Sequence, residues 1–229
     1  MMLVTLYTSR VVLEALGEVD YGLYNVVGGV VVFIGFLNAT MSSASSRYIT
    51  VAVENPVLLE RQKIFSSIFF VNVIIACIVL ILSETVGLWF LFNKLQIPPE
   101  RQIAVFWVYQ ISVITILSSI VCIAYNATII AHERMKAFAY ITLVDAIAKL
   151  LVAFVILQPR ECDKLIMYVC LLFLIQLTNQ LLYFLYCRRS FPETSITFKF
   201  CKGQMFDIYK YIGWSSYGSF ATAGFTQGL

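Results

Sequence analysis

Apolar residues in this chain occur in long runs separated by short polar segments. At a rise of 1.5 Å per residue, a helix of roughly 20 apolar residues crosses the hydrocarbon core of a bilayer. The fold class that this pattern predicts is an all-α, polytopic membrane helix bundle. The predicted helices lie at about residues 1–16, 22–45, 64–92, 103–125, 137–157 and 165–187, followed by a polar loop at 188–210 and the start of a seventh helix at 211–229.

The two ends of the chain differ from the other apolar runs. The segment 1–16 is shorter than a full span and is interrupted by Arg10 and Glu14, and the segment 211–229 stops within an apolar run. We therefore expect the sequence to be part of a longer membrane protein.

Composition agrees with a membrane location. Hydrophobic residues make up 60% of the sequence and charged residues 13%, and the mean hydropathy is +0.85, whereas about a quarter of the residues in a soluble domain are charged. The net charge of +3 arises in short loops rather than on a continuous basic face. The charge therefore does not indicate a nucleic-acid partner.

The basic residues of the loops indicate the topology. If the spans alternate in direction, the loops on one side hold many more basic residues than the loops on the other, so the first side is cytoplasmic by the positive-inside rule. The first set comprises Arg47, Arg61, Lys63, Arg134, Lys136, Arg188, Arg189, Lys199, Lys202 and Lys210. The second set comprises Lys94, Arg101, Arg160 and Lys164.

Few residues suit metal or covalent chemistry. The six cysteines form no CxxC pair and several lie inside apolar runs, so we interpret them as packing residues. His132 is the only histidine, which excludes a histidine cluster within this sequence, and its position in a loop predicts a solvated side chain. No glycine-rich phosphate loop is present. The sequence therefore predicts no metal site, no cofactor and no enzymatic activity.

Asp145 and Lys149 lie near the middle of the predicted helix 137–157. An ionised side chain at mid-bilayer depth costs at least about 2.5 kcal/mol on insertion scales, so it normally faces a protein interior or a watery cavity. The two residues are four positions apart and share one helical face, where they can neutralise each other. Two interpretations stay open: a structural ion pair within the bundle, or a part of a transport pathway.

Two further sites carry charge within apolar segments. Arg10 and Glu14 repeat the spacing of four residues and predict a second pair of cation and carboxylate at membrane depth. Glu84 has no partner within its own predicted helix. We expect Glu84 to lie near the outer interface with Lys94, and the alternative is a buried residue that couples transport to an ion.

Three stretches of the sequence resemble the polysaccharide and O-antigen flippases (Wzx-type lipopolysaccharide biosynthesis proteins), especially members from Bacteroidetes. The stretches are LYTSRVVLEALGEVDYGLYNVVGGVVVFIGFLNATMSSASSRYIT, ETVGLWFLFNKLQIPPER and WVYQISVITILSSIVCIAYNATIIAHERMKAFAYI. This family belongs to the multidrug, oligosaccharidyl-lipid and polysaccharide exporter (MATE-like) superfamily, whose members have two pseudo-symmetric lobes. The resemblance implies an N-terminal lobe of six helices followed by the start of a seventh.

The resemblance also implies a function. Members of the family move undecaprenyl-pyrophosphate-linked oligosaccharide across the bacterial inner membrane by alternating access. The resemblance implies an H⁺ or Na⁺ gradient as the energy source and other polysaccharide assembly proteins as partners. In the related lipid II flippases a Ser-Arg pair places its arginine in the central cavity, and Ser9-Arg10 matches it here. Asp145, Lys149 and Glu14 are added from their depth and spacing, and Arg47 as a first contact for the pyrophosphate.

Two other functions stay open. A multidrug and cation antiporter of the same superfamily would favour acidic residues over cations at its site. A membrane-embedded glycan polymerase or acyltransferase would need catalytic residues in a large outer loop, and every predicted outer loop is short.

Overall fold

The structure is a computed structural model that describes residues 2–95, 97–157 and 163–195, together with Lys210 and Trp214. Its described part is all-α and contains no strand, which confirms the predicted fold class. The helices are α1 (Met2–Val53), α2 (Leu58–Leu82), α3 (Leu88–Asn93), α4 (Gln102–Ala131), α5 (Met135–Leu157) and α6 (Lys164–Ser190). The predicted seventh helix, apart from Trp214, and residues 196–209 of the predicted loop lie outside the described residues.

Four helical stretches are long and apolar enough to cross a membrane, judged by length and composition. They are Leu58–Asn93, Pro99–Ala131, Met135–Leu157 and Lys164–Ser190. Even the shortest, with 23 residues, extends over about 35 Å at 1.5 Å per residue, compared with a hydrocarbon core of about 30 Å. Large apolar side chains of α5, such as Leu143, Ile147 and Leu151, are exposed. These features indicate a membrane protein.

Helix α1 unites the first two predicted helices. Gly17 interrupts it with φ 80° and ψ 169°, and the helix then continues to Val53. The structure thus extends the second predicted helix beyond residue 45, so that Arg47 lies within a helix and not after it. The positive φ at Gly17 belongs to a region that side chains with a Cβ rarely adopt, which explains why the chain turns at a glycine.

Helix α4 is also longer than predicted. Residues 126–131, predicted as part of a loop, continue the helix, and the connection to α5 is shortened to residues 132–134. Thr128 is fully buried and its hydroxyl donates to the Ala124 carbonyl oxygen, 2.8 Å away. Because this hydroxyl has an acceptor within the helix, a polar residue at this position is compatible with a helix interior.

A short π-helix, Ser83–Gly87, joins α2 to α3. Single-turn π segments inside α-helices occur often at functional sites or points of tight packing. Here Tyr109 of α4 is fully buried, and its hydroxyl donates to the Ser83 carbonyl oxygen over 2.8 Å. The irregular turn therefore has a specific hydrogen-bond partner.

The chain divides into two compact units. The first comprises Met1–Phe33, Leu80–Ile116 and Tyr140–Asn179, and the second comprises Ile34–Val79, Leu117–Ala139 and Gln180–Leu229. Val12, Leu91 and Val108 are among the buried apolar residues of the first unit. The second unit buries the polar side chains of Ser66, Ser67 and Asn72 among its apolar ones. The partly buried Asn38 amide of the same unit donates to the Ser119 hydroxyl over 2.8 Å.

Candidate functional site

The first unit contains a cavity of about 370 Å³. Side chains of α1, α5 and α6 line it, and most of them carry a hydroxyl, amide or charged group. The lining residues from α1 are Thr8, Ser9, Val12, Tyr21, Tyr24 and Asn25. Those from α5 and α6 are Thr142, Asp145, Ala146, Lys149, Tyr168 and Leu172. A polar cavity between helices that carry long apolar sequences is the setting in which a membrane protein can shelter a polar ligand.

The interruption of α1 shapes this cavity. Thr8 and Ser9 precede Gly17, whereas Tyr21 and Asn25 follow it, and all four line the cavity. The Asn25 amide donates to the Tyr21 carbonyl oxygen over 2.9 Å, within the second part of the helix. The turn at Gly17 therefore allows one helix to supply polar groups from two directions.

The central charged group of the cavity is the ion pair of Asp145 and Lys149. The Lys149 ammonium donates to Asp145 Oδ2 over 2.7 Å, as the spacing of four residues predicted. The Lys149 side chain is 46% exposed and that of Asp145 21% exposed. The ammonium is thus the more accessible member of the pair.

Asp145 has a second partner that the sequence did not suggest. The side-chain amide of Asn179 in α6 donates to Asp145 Oδ1 over 2.6 Å. Both carboxylate oxygens therefore accept a hydrogen bond, and the carboxylate keeps one partner if the Lys149 ammonium turns toward a ligand. Asn179 lies in an apolar stretch of α6. An amide within a predicted membrane span was the one sequence feature that could have indicated this partner.

Aromatic rings form another part of the cavity wall. Tyr24 and Tyr168 meet edge to face with their centroids 5.2 Å apart, and Tyr21 lies on the same lining. Tyrosine provides an apolar ring face together with a hydroxyl. The wall can therefore contact both the apolar faces and the hydroxyl groups of a polar ligand.

Arg10 and Glu14 do not form the predicted ion pair. Both side chains are described and exposed, and neither is among the residues that line the cavity. The order of the charges explains the difference from α5, since an acidic residue four positions before a basic one pairs better on a helix than the reverse order. Ser9, beside Arg10, is the member of the Ser-Arg motif that lines the cavity.

Glu84 has its hydrogen-bond partner on another helix. It lies in the π-helix, and its carboxylate accepts from the Gln110 amide of α4 over 3.2 Å. The Lys94 ammonium lies 5.8 Å from the ring centroid of Trp89 instead. Glu84 and Lys94 thus have different partners, and the location of Glu84 near the outer interface stays a prediction.

His132 is not the solvated side chain that its loop position predicted. Its Nε2 lies 2.5 Å from Glu193 Oε1, and its ring stacks on Phe191 with centroids 4.2 Å apart. These contacts belong to the second unit, as does Arg47, whose side chain is exposed. No local sequence pattern could predict the contact of His132 with Glu193, because 61 residues separate them along the chain.

A further charged cluster of the first unit joins three distant segments. Arg101 forms ion pairs with Asp20 at 3.0 Å and with Asp163 at 2.9 Å. Burial raises the pKa of Asp20 above its usual 3.8, and the Arg101 guanidinium acts in the opposite direction. This cluster fixes loops around the ends of helices.

Within the described ranges, no group of three or more histidine, cysteine, aspartate or glutamate side chains is arranged to hold a metal ion. The cavity chemistry is that of hydrogen bonding and charge. It comprises hydroxyl groups, amides, one accessible ammonium and one fully engaged carboxylate.

Comparisons of the chain with protein-family models, with curated proteins and with solved structures found no match.

Proposed function

We propose that this chain takes part in moving a lipid-linked oligosaccharide across the bacterial inner membrane. The observation that carries the proposal is the cavity around Asp145 and Lys149, which offers hydroxyl groups, tyrosine rings and an ammonium among helices long enough to cross a bilayer. A glycan that crosses a membrane needs hydrogen-bond partners in place of water. The resemblance of three sequence stretches to polysaccharide flippases supports the same cargo.

In this proposal each group of the cavity has a role. The Lys149 ammonium attracts a phosphate oxygen, and Asp145 stays bonded to Asn179 while the lysine is engaged. Tyr24 and Tyr168 contact the sugar rings. Arg10, adjacent to Ser9 in the sequence, attracts the pyrophosphate before it reaches the cavity.

The transport cycle that we propose involves no covalent step. The head group binds in the cavity, alternating access exposes it to the other leaflet, and an H⁺ or Na⁺ gradient drives the change. A cation antiporter would require a carboxylate that is available to a cationic ligand. Asp145 instead accepts from both Lys149 and Asn179, which favours a cargo with phosphate and hydroxyl groups.

The proposal is tested in a strain whose only copy of the gene carries Lys149→Ala, alone and with Arg10→Ala. We expect surface glycan export to fall at least about tenfold, because a charge-assisted hydrogen bond of roughly 1.5 kcal/mol is lost. Export is followed by labelling surface glycan and by measuring the lipid-linked precursor that accumulates inside the membrane.

Lys136→Ala is the matched control, since Lys136 is an exposed lysine of the same helix that does not line the cavity. It should leave export unchanged at equal protein levels. Normal export by the double variant would rule out the phosphate-binding role. Intact glycan export together with a resistance to cationic drugs that depends on Asp145, and not on Lys149 or Arg10, would indicate the antiporter instead, because an antiporter site favours acidic residues over cations.

A further inference from the structure

A second cavity, of about 510 Å³, lies in the second unit at the end of α6. Tyr125 and Phe184 form aromatic walls whose ring centroids are 5.3 Å apart, and Phe191 forms another. Arg188 supplies a guanidinium, while Thr194 and Ser195 supply hydroxyl groups. None of these residues belongs to the cavity around Lys149, so the two sites are chemically separate.

The carboxylate of Glu193, next to this cavity in sequence, is bound by other side chains. Glu193 stands between two lining residues, Pro192 and Thr194, but it is 4% exposed and does not line the cavity itself. Its carboxylate oxygens are taken by Arg61 at 3.3 Å and by His132 at 2.5 Å. The carboxylate that is adjacent in sequence to two lining residues is therefore engaged by Arg61 and His132.

Arg188 is left with a positive charge on the cavity surface. Its guanidinium lies 5.9 Å from the centroid of the Phe184 ring. Among the described residues it forms no ion pair with a carboxylate. A guanidinium with an aromatic neighbour and no carboxylate retains donors for an anionic ligand, and its planar fork matches the oxygens of a phosphate.

The wall beside Arg188 is held in place before any ligand binds. The Gln62 amide donates to the Pro192 carbonyl oxygen over 3.2 Å, and the Thr194 hydroxyl donates to the Phe191 carbonyl oxygen over 2.8 Å. The His132 ring stacks on Phe191 from behind. A site whose walls are fixed in this way loses little conformational entropy when a ligand enters.

Position along the helix identifies the source of the anion. Arg188 lies in the last turn of α6, a helix long and apolar enough to cross a bilayer. The end of such a helix lies at the depth of the lipid head groups, where aromatic and basic side chains are typical. The Thr194 and Ser195 hydroxyls already donate to backbone carbonyls, so their oxygens remain as acceptors for a head group that carries hydroxyls.

We propose that this cavity binds the head group of an anionic phospholipid, with the phosphate on Arg188 and a polyol head group toward Thr194 and Ser195. This lipid site is independent of the proposed transport of glycan. It would hold a bilayer lipid against the end of α6 whether or not the cavity around Lys149 carries cargo.

Native mass spectrometry of the detergent-purified protein tests the proposal, with phosphatidylglycerol and phosphatidylcholine added in turn. We expect the wild type to retain phosphatidylglycerol in preference to phosphatidylcholine. Arg188→Gln should weaken phosphatidylglycerol binding about tenfold or more, because the charge-assisted hydrogen bonds from the guanidinium to the phosphate are lost. Phe184→Leu should weaken binding as well, because it removes an aromatic wall and leaves the charge.

Arg189→Gln is the matched control, because Arg189 is the adjacent exposed arginine of the same helix turn and does not line the cavity. It should weaken lipid binding by a clearly smaller factor than Arg188→Gln, because Arg189 donates no hydrogen bond to a phosphate held in the cavity. The proposal is overturned if Arg188→Gln binds phosphatidylglycerol like the wild type, or if both arginine variants lose it equally. Displacement of the lipid by an equal concentration of inorganic phosphate would also overturn it, because the site would then recognise free phosphate.

Discussion

At the scale of single residues, Gly17 provides the turn in α1 that brings two parts of the helix to the candidate site. Its φ of 80° and ψ of 169° lie in a region that only glycine adopts readily. A Cβ built at this position would meet no atom within 4 Å. Glycine is therefore needed at this position because of the backbone conformation, and not because a side chain would clash with a neighbour.

We expect Gly17→Ala to lower the free energy of unfolding by about 1 to 3 kcal/mol, since the backbone conformation is strained for alanine. Gly22→Ala is the control, because Gly22 is helical and also has no neighbour within 4 Å. That change should be neutral or stabilise by up to about 1 kcal/mol. Thermal unfolding in detergent distinguishes the two, and an equal effect of both variants would show that the turn does not depend on glycine.

At the scale of secondary-structure elements, the π-helix depends on a close approach between two helices of the first unit. A Cβ at Gly87 would lie 1.9 Å from the hydroxyl oxygen and 3.0 Å from Cζ of Tyr109. The same hydroxyl donates to the Ser83 carbonyl oxygen at the start of the π turn. The glycine, the tyrosine and the irregular turn form a single packing arrangement.

Gly87→Ala should therefore displace Tyr109 and destabilise the fold by about 1 to 3 kcal/mol, the usual cost of overpacking. Tyr109→Phe alone should cost about 1 kcal/mol because the Ser83 carbonyl oxygen loses the tyrosine hydroxyl and keeps only the Leu88 backbone N–H as a donor. The double variant should lose less stability than the two single changes added together, since the phenylalanine ring lacks the hydroxyl that clashes. Denaturant titration of the four proteins measures this coupling, and strict additivity would contradict the arrangement.

At the scale of the whole molecule, ion pairs join segments that are far apart in the sequence. Arg101 contacts Asp20 and Asp163, which lie 81 and 62 residues away along the chain. Glu193 contacts Arg61 and His132, which are 132 and 61 residues away. Each cluster lies within one unit and holds connecting segments near the ends of its helices.

Stability near Arg101 should depend on pH. Burial raises the pKa of Asp20 above 3.8, so the folded protein binds the carboxyl proton of Asp20 more tightly than the unfolded chain does. The stability that this proton contributes is present at low pH and is lost as the pH rises through the raised pKa. Arg101 offsets that loss. Arg101→Gln should therefore destabilise the protein by about 0.5 to 1 kcal/mol near pH 7 and by less near pH 4.

Thermal unfolding at the two pH values measures this difference, with Arg134→Gln as the control. Arg134 is an exposed arginine that forms no ion pair among the described residues. Its replacement should have little effect at either pH. An equal loss at both pH values for Arg101→Gln would show that ionisation of Asp20 does not govern the contact.

Local patterns determined the all-α fold, the apolar helices and the contact of Asp145 with Lys149. Each depends on the rise of a helix, on runs of apolar residues or on a spacing of four positions. The same rules failed at Arg10 and Glu14, because spacing permits an ion pair without requiring one.

Only the tertiary structure decided which side chains meet. The Asn179 partner of Asp145, the tyrosine wall and the clamp on Glu193 all join residues from different helices or loops. The turn at Gly17 decided that two parts of α1 line one cavity. The physical reason is that helix periodicity specifies the face on which a residue lies, whereas packing of helices and loops selects the group on the facing element.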